Sequence, residues 1–136
     1  MSEVAVPSVG DTASVEHVFT QEDVAAFARL SGDDNPVHLD DDAARRMGFS
    51  GTIVHGLLAA SLISRLLGTR LPGPGTIYLQ QQLRFLRPIL PGRPVVATVS
   101  VVSRREDKPI LELSPVISTE GETAIGGSAT VIVRPV

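Results

Sequence analysis

The 136-residue chain has no cysteine, which excludes disulfides and metal sites built on thiolates. It also lacks a surplus of positive charge. Twelve basic residues against fifteen acidic ones leave a formal net charge of −3, so nothing in bulk electrostatics favours nucleic acid or an anionic membrane as partner. No stretch near the start joins a basic region to an apolar one, and no secretory signal is expected. The longest apolar segment, Ile53 to Leu67, carries His55 and Arg65 and is too short to span a bilayer comfortably. There is no internal repeat and no linker. Residues 1–136 are therefore expected to form a single domain around one core, with the cytoplasm as its compartment. A hydrophobic fraction of 43% with 20% charged residues fits a globular protein of that kind.

What is present has a clear order. Met1 to Gly10 holds turn formers and is expected to run over the surface. Thr12 to Phe19 has strand character. A helix should start at Gln21, with Thr20 as its cap, Asp23 at the third position, and Phe19 and Val24 at staple spacing. Val24, Phe27 and Leu30 then share one face. Ser31 to Ser50 is irregular, and its run Asp40-Asp41-Asp42 reads as the acidic first turn of a short helix through Ala43-Ala44-Arg45-Arg46. Ile53 to Leu67 is apolar on nearly every side, which predicts a helix buried all round, with Gly68 suited to its C-terminal cap. Gly56, Ala60 and Ser64 form a small-residue stripe along it.

Beyond Pro72-Gly73-Pro74-Gly75 the pattern turns to β. In Thr76 to Arg87, Ile77, Leu79, Leu83 and Phe85 are expected on one face and Tyr78, Gln80, Gln82 and Arg84 on the other. Val95 to Ser103, Ile110 to Thr119 and Thr123 to Arg134 complete a set of antiparallel strands, with a bulge or sheet edge expected at Pro115. One sheet cannot cover every side of so apolar a helix, so pairing of two chains is expected.

Asp33 and His38 lie five residues apart in Ser31-Gly32-Asp33-Asp34-Asn35-Pro36-Val37-His38. A carboxylate and an imidazole on one proline-stiffened loop can move protons to and from a shared small reactant. The plainer reading is a helix-ending turn in which Asp33 and Asn35 only satisfy backbone groups. Gly56 has two readings as well: close helix packing, or a bare N–H near a helix start where negative charge is favoured. His55 reads first as a packed histidine and second as another acid or base. Asp33, His38 and His55 lack a recognised metal-ligand spacing, and no metal is expected. Arg84, Arg87, Arg104, Arg105 and Lys108 read as a solvated strand face and hairpin tip, or as holders of a nucleotide's phosphates.

Phe27-Ala28-Arg29-Leu30-Ser31-Gly32-Asp33-Asp34-Asn35-Pro36-Val37-His38, with Ala44 beyond, resembles the hydratase 2 motif of the MaoC-like dehydratase family. Ile53-Val54-His55-Gly56, Leu71-Pro72-Gly73, Ile77-Tyr78-Leu79 and Arg105-Glu106-Asp107-Lys108-Pro109 are similar to the short (R)-specific enoyl-CoA hydratases that feed polyhydroxyalkanoate synthesis. The likeness covers nearly the whole chain, and Asp34 stands at the motif's variable position.

The resemblance implies an α+β hot-dog fold, in which an antiparallel sheet wraps a long central helix, and a homodimer with an acyl-thioester tunnel near the subunit interface. It implies reversible hydration of trans-2-enoyl-CoA to (3R)-3-hydroxyacyl-CoA without metal or cofactor. Asp33 and His38 would bind and activate the water, and Gly56 would donate its N–H to the thioester carbonyl. Asn35 and Ser64 would bind substrate or support the loop. The alternatives are a 3-hydroxyacyl-carrier-protein dehydratase, a hot-dog thioesterase and a non-catalytic acyl-CoA binding module.

Overall fold

The computed structural model describes residues 6–136. The expectation for Met1 to Gly10 therefore lies outside the described residues over 1–5. From Val6 onward the segment does skirt the sheet: Gly10 N–H donates to Val101 O at 2.9 Å.

The chain runs β1 (Thr12–Val18), α1 (Gln21–Ser31), α2 (Pro36–Leu39), α3 (Asp41–Arg46), α4 (Gly56–Thr69), β2 (Thr76–Phe85), β3 (Pro94–Arg104), β4 (Ile110–Thr119) and β5 (Glu122–Val133). The five strands form one antiparallel sheet in the order β1-β3-β4-β5-β2. β1 and β2 thus stand on opposite edges, and α4 carries the chain between them across the sheet's inner face. This is the α+β hot-dog arrangement.

The inner face follows from strict alternation. Val95, Ala97, Val99 and Val101 of β3 are all buried, as are Leu111, Leu113 and Ile117 of β4. They close on Leu62, Ile63, Leu66 and Leu67 of α4 in one continuous core. Each such aliphatic side chain contributes roughly 1.5–3 kcal/mol by leaving water. α1 begins with the expected cap: Asp23 N–H donates to Thr20 Oγ1 at 3.1 Å and Thr20 N–H to Asp23 Oδ2 at 3.0 Å. No helix of the described residues is long and apolar enough to cross a membrane.

Several local expectations are corrected. α4 is not buried all round within this chain, because Leu57 is 63% exposed and Ser61, Ser64 and Arg65 face outward. Gly68 lies inside α4, which ends at Thr69 with Arg70 as its cap. Leu30 is 86% exposed, and Ala28 takes its place on the inner face of α1. β2 has a register irregularity between Tyr78 and Gln80, so Tyr78 and Leu83 pack on the core while Ile77 and Leu79 point outward. A bulge reverses the alternation that sequence spacing assumes. Pro115 is in a central strand, opposite Val99 of β3, and the ladder to β5 resumes at Val116 after a gap.

Candidate active site

The loop after α1 is built from side chains that bond their own backbone. Gly32 ends the helix in the left-handed region, φ 80°, and its N–H donates to Ala28 O. Ser31 Oγ donates to Phe27 O at 2.7 Å and accepts from Asp33 N–H at 3.1 Å. Asn35 caps α2 by accepting from Val37 N–H at 3.3 Å, and Pro36 fills the first helical position, where no N–H is needed. α2 is therefore one stiff turn that presents His38. Its far side is held too: Gln21 Nε2 donates to His38 O at 2.8 Å, and Thr52 Oγ1 donates to Gln21 Oε1 at 2.8 Å.

Three titratable side chains meet here. The nearest ligand-type atoms of Asp33, His38 and His55 all lie within 4.8 Å of one another. His38 is buried at 8% exposure and His55 at 2%, while Asp33 is exposed, so the cluster opens to solvent on the carboxylate side. His38 Nδ1 is 2.8 Å from Ile53 O. A carbonyl can only accept, so Nδ1 carries a hydrogen, and in the neutral imidazole Nε2 keeps its lone pair. By the same reasoning His55 Nε2, 2.9 Å from Asp33 O, carries a hydrogen, and in the neutral ring Nδ1 is bare. That Nδ1 is buried without a partner among the described residues. An unmatched buried polar atom costs about 1–3 kcal/mol.

The two imidazoles are stacked, with centroids 3.8 Å apart and planes at 26°. Phe27 meets His55 edge-on at 4.8 Å. Stacking matters for metal chemistry. A ligated ion lies in the ring plane at about 2.0–2.1 Å from nitrogen, and two nearly parallel planes this far apart do not converge on one ion. The cluster is better suited to moving protons than to holding a metal.

Gly56 is the first residue of α4, so its N–H is among those a helix start leaves without an internal partner. His55 supplies the cap position without a side-chain cap bond. The helix start therefore offers an open donor with the dipole behind it. A Cβ at position 56 would sit 2.7 Å from Phe85 Cε1, so only glycine lets that ring lie against the helix. Beside Gly56 is a cavity of about 370 Å³, lined by Ile53, Ala59, Phe85 and Ile125 among others. Ile53 links the two halves of the site: it lines this cavity, and its carbonyl holds His38.

The structure thus brings Asp33, His38 and His55 into one cluster, with Asn35 bracing the loop and Gly56 next along the chain from His55. Ser64 is exposed farther along α4 and makes no hydrogen bond to the loop among the described residues. Gln21, Thr52 and Phe85 were not singled out from the sequence. Only Phe85 had a visible signal, through its alternation with the inward Leu83. Of the basic residues, Arg87 pairs with Glu122 at 2.7 Å and Arg105 with Asp107 at 2.6 Å. The Arg105 hydrogen bond holds the Asp107 carboxyl below its ordinary range.

The sequence and the fold have close counterparts. Residues 8–121 match the family described as MaoC like domain. The chain is 49% identical over 124 residues to an (R)-specific enoyl-CoA hydratase of Aeromonas caviae, covering 90% of this chain and 92% of the relative. A second (R)-specific enoyl-CoA hydratase, from Rhodospirillum rubrum, is 41% identical, with 91% and 86% covered. The solved structure of an (R)-hydratase from A. caviae involved in PHA biosynthesis superposes with a TM-score of 0.91 at 47% identity, over 94% of this chain and 98% of that one. With this much of its length matched in sequence and in fold, the chain belongs to the MaoC-like dehydratase family.

Proposed function

We propose that this protein is an (R)-specific enoyl-CoA hydratase, acting as one unit over residues 1–136. It adds water across the double bond of a trans-2-enoyl-CoA to give (3R)-3-hydroxyacyl-CoA, and catalyses the reverse. The observation that carries this reading is the placement of Asp33 beside His38, whose Nε2 has no partner among the described residues, with the Gly56 N–H, which has no partner inside its helix, at the start of α4.

Water bound between Asp33 and His38 loses a proton to the pair as its oxygen bonds to Cβ. The π electrons move toward the thioester, and the carbonyl oxygen gains negative charge. Gly56 N–H and the dipole of α4 stabilise that oxygen; one such donor is worth roughly 10²–10³-fold in rate. The resulting enolate takes a proton at Cα from the pair, which returns to its starting state. Proton handling of this kind contributes roughly 10²–10⁴-fold. The residues supply the whole proton cycle, so the reaction needs no redox group, and CoA enters as part of the substrate.

We further propose that the active form is a homodimer. Ile77, Leu79, Phe85 and Leu86 on and just after the edge strand β2 are each more than half exposed, and Leu57 stands out from α4. An apolar edge strand with an open ladder invites a second chain.

Incubation with crotonyl-CoA, following loss of the conjugated enoyl absorbance and the chirality of the product, tests the activity. A 3R product at a rate that exceeds the same enoyl group on acyl carrier protein is expected. Faster turnover of the carrier-bound substrate would make the protein a carrier-protein dehydratase. Release of free thiol would make it a thioesterase, and binding without turnover an acyl-CoA sensor. Sedimentation should report a dimer at micromolar concentration.

A further inference from the structure

His55 touches both members of the proposed acid–base pair. Its Nε2–H donates to the backbone carbonyl of Asp33 at 2.9 Å, and its ring lies against that of His38 with centroids 3.8 Å apart. Its other nitrogen, Nδ1, is buried and unmatched among the described residues. A leucine or phenylalanine would fill the same volume without a lone pair left over, so packing alone does not account for an imidazole here. What the imidazole adds is a donor at one end and a flat face along its length.

Each contact removes a freedom that the rest of the site leaves open. The bond from Nδ1 to Ile53 O sets the turn of the His38 ring about its Cβ–Cγ bond; the stacked face of His55 backs the ring and limits its tilt and displacement. Asp33 follows a left-handed glycine, and among the described residues its carboxylate accepts only from Asn35 N–H, at 3.3 Å to Oδ1. The hold of His55 on the Asp33 carbonyl keeps that peptide from swinging. Phe27 in turn steadies His55 from α1.

We infer that His55 is a positioning residue, which sets the Asp33 carboxylate against the free Nε2 of His38 by pinning the backbone of one and backing the ring of the other. It does not handle a proton itself: Nε2 is committed to the Asp33 carbonyl, and Nδ1 is buried from solvent. The inference rests on the hydratase reading, because that reading gives the pair its task.

Two variants separate the contacts. His55→Phe keeps the flat face and the packing but loses the donor; His55→Gln offers an amide N–H in its place. The expected result is a fall in kcat for crotonyl-CoA of about 10²-fold in His55→Phe, as for a misplaced catalytic group, with KM changed less than about threefold and part of the loss restored in His55→Gln. A His55→Phe kcat within about twofold of the unaltered protein would overturn the inference. Imidazole ¹⁵N shifts of the unaltered protein provide a readout that depends on neither variant nor substrate. They should report hydrogen on Nε2 of His55 and on Nδ1 of His38; hydrogen on Nδ1 of His55 would overturn it equally. If the unaltered protein hydrates no enoyl thioester, the hydratase reading fails, while the tautomer measurement still decides whether His55 holds Asp33.

Discussion

The sheet and the stretch from Ser31 to Gly56 hold their shapes in opposite ways. In the sheet, backbone groups pair with backbone groups along four antiparallel ladders, and aliphatic side chains only choose which face is wet. In the loop stretch the backbone has few such ladders. Single side chains tie it together: Ser31, Asn35, His38, Asp40, Asp41 and His55 each bond a main-chain atom, and Thr52 bonds the side chain of Gln21. The sheet is redundant and tolerates a missing contact at a cost in stability. The loop has one bond for each task, and a missing contact there changes geometry at the pair.

That contrast predicts a split between rate and stability. The largest effects should come from Asp33→Asn and His38→Gln, each lowering turnover of crotonyl-CoA about 10²–10⁴-fold, while circular dichroism reports an intact fold. Near-normal rates in either variant would erase the distinction. In the sheet, Leu113→Ala should cost about 2–5 kcal/mol of unfolding free energy in urea, as for an aliphatic side chain cut out of a closed core. Its folded fraction should keep most of the parent kcat. Thr20→Ala, which removes the cap of α1, should cost about 0.5–2 kcal/mol. The smallest effect concerns Tyr78, on the inner side of β2. Burial raises its phenol above the ordinary value of 10.0. The folded state then favours the neutral phenol, so its contribution is complete below pH 10 and lost as pH rises through the raised value. A decline in Tm in that alkaline window should be reduced in Tyr78→Phe.

The same contrast explains what could be read from the amino-acid order. β1, the capping box of α1, the acidic start of α3 and β3 to β5 follow from local spacing, because alternation and caps need only near neighbours. β2 misleads beyond Tyr78, since one irregular residue reverses every later face and leaves no mark in composition. α2 is missed because four residues give no period to recognise, although Asn35 and Pro36 are the cap and first residue that such a turn prefers. At the site, the Asp33 and His38 spacing was visible, along with the glycine that opens α4. The roles of His55, Gln21 and Thr52 were not. Their partners are main-chain atoms or side chains many residues away, and which carbonyl a donor will reach is a property of the folded path.

The strand order has a further consequence, for the sequence of events in folding. β2 emerges from synthesis well before β5, its one neighbour in the sheet among the described residues, and must wait while β3 and β4 are made. Its backbone edge, beside the outward Ile77 and Leu79, is without a ladder partner throughout that interval. Closure of the far edge thus couples distant parts of the chain and comes late, which slows assembly compared with a meander of neighbouring strands. A nascent chain held up before β5 would present the same apolar strand to any other unfinished copy nearby.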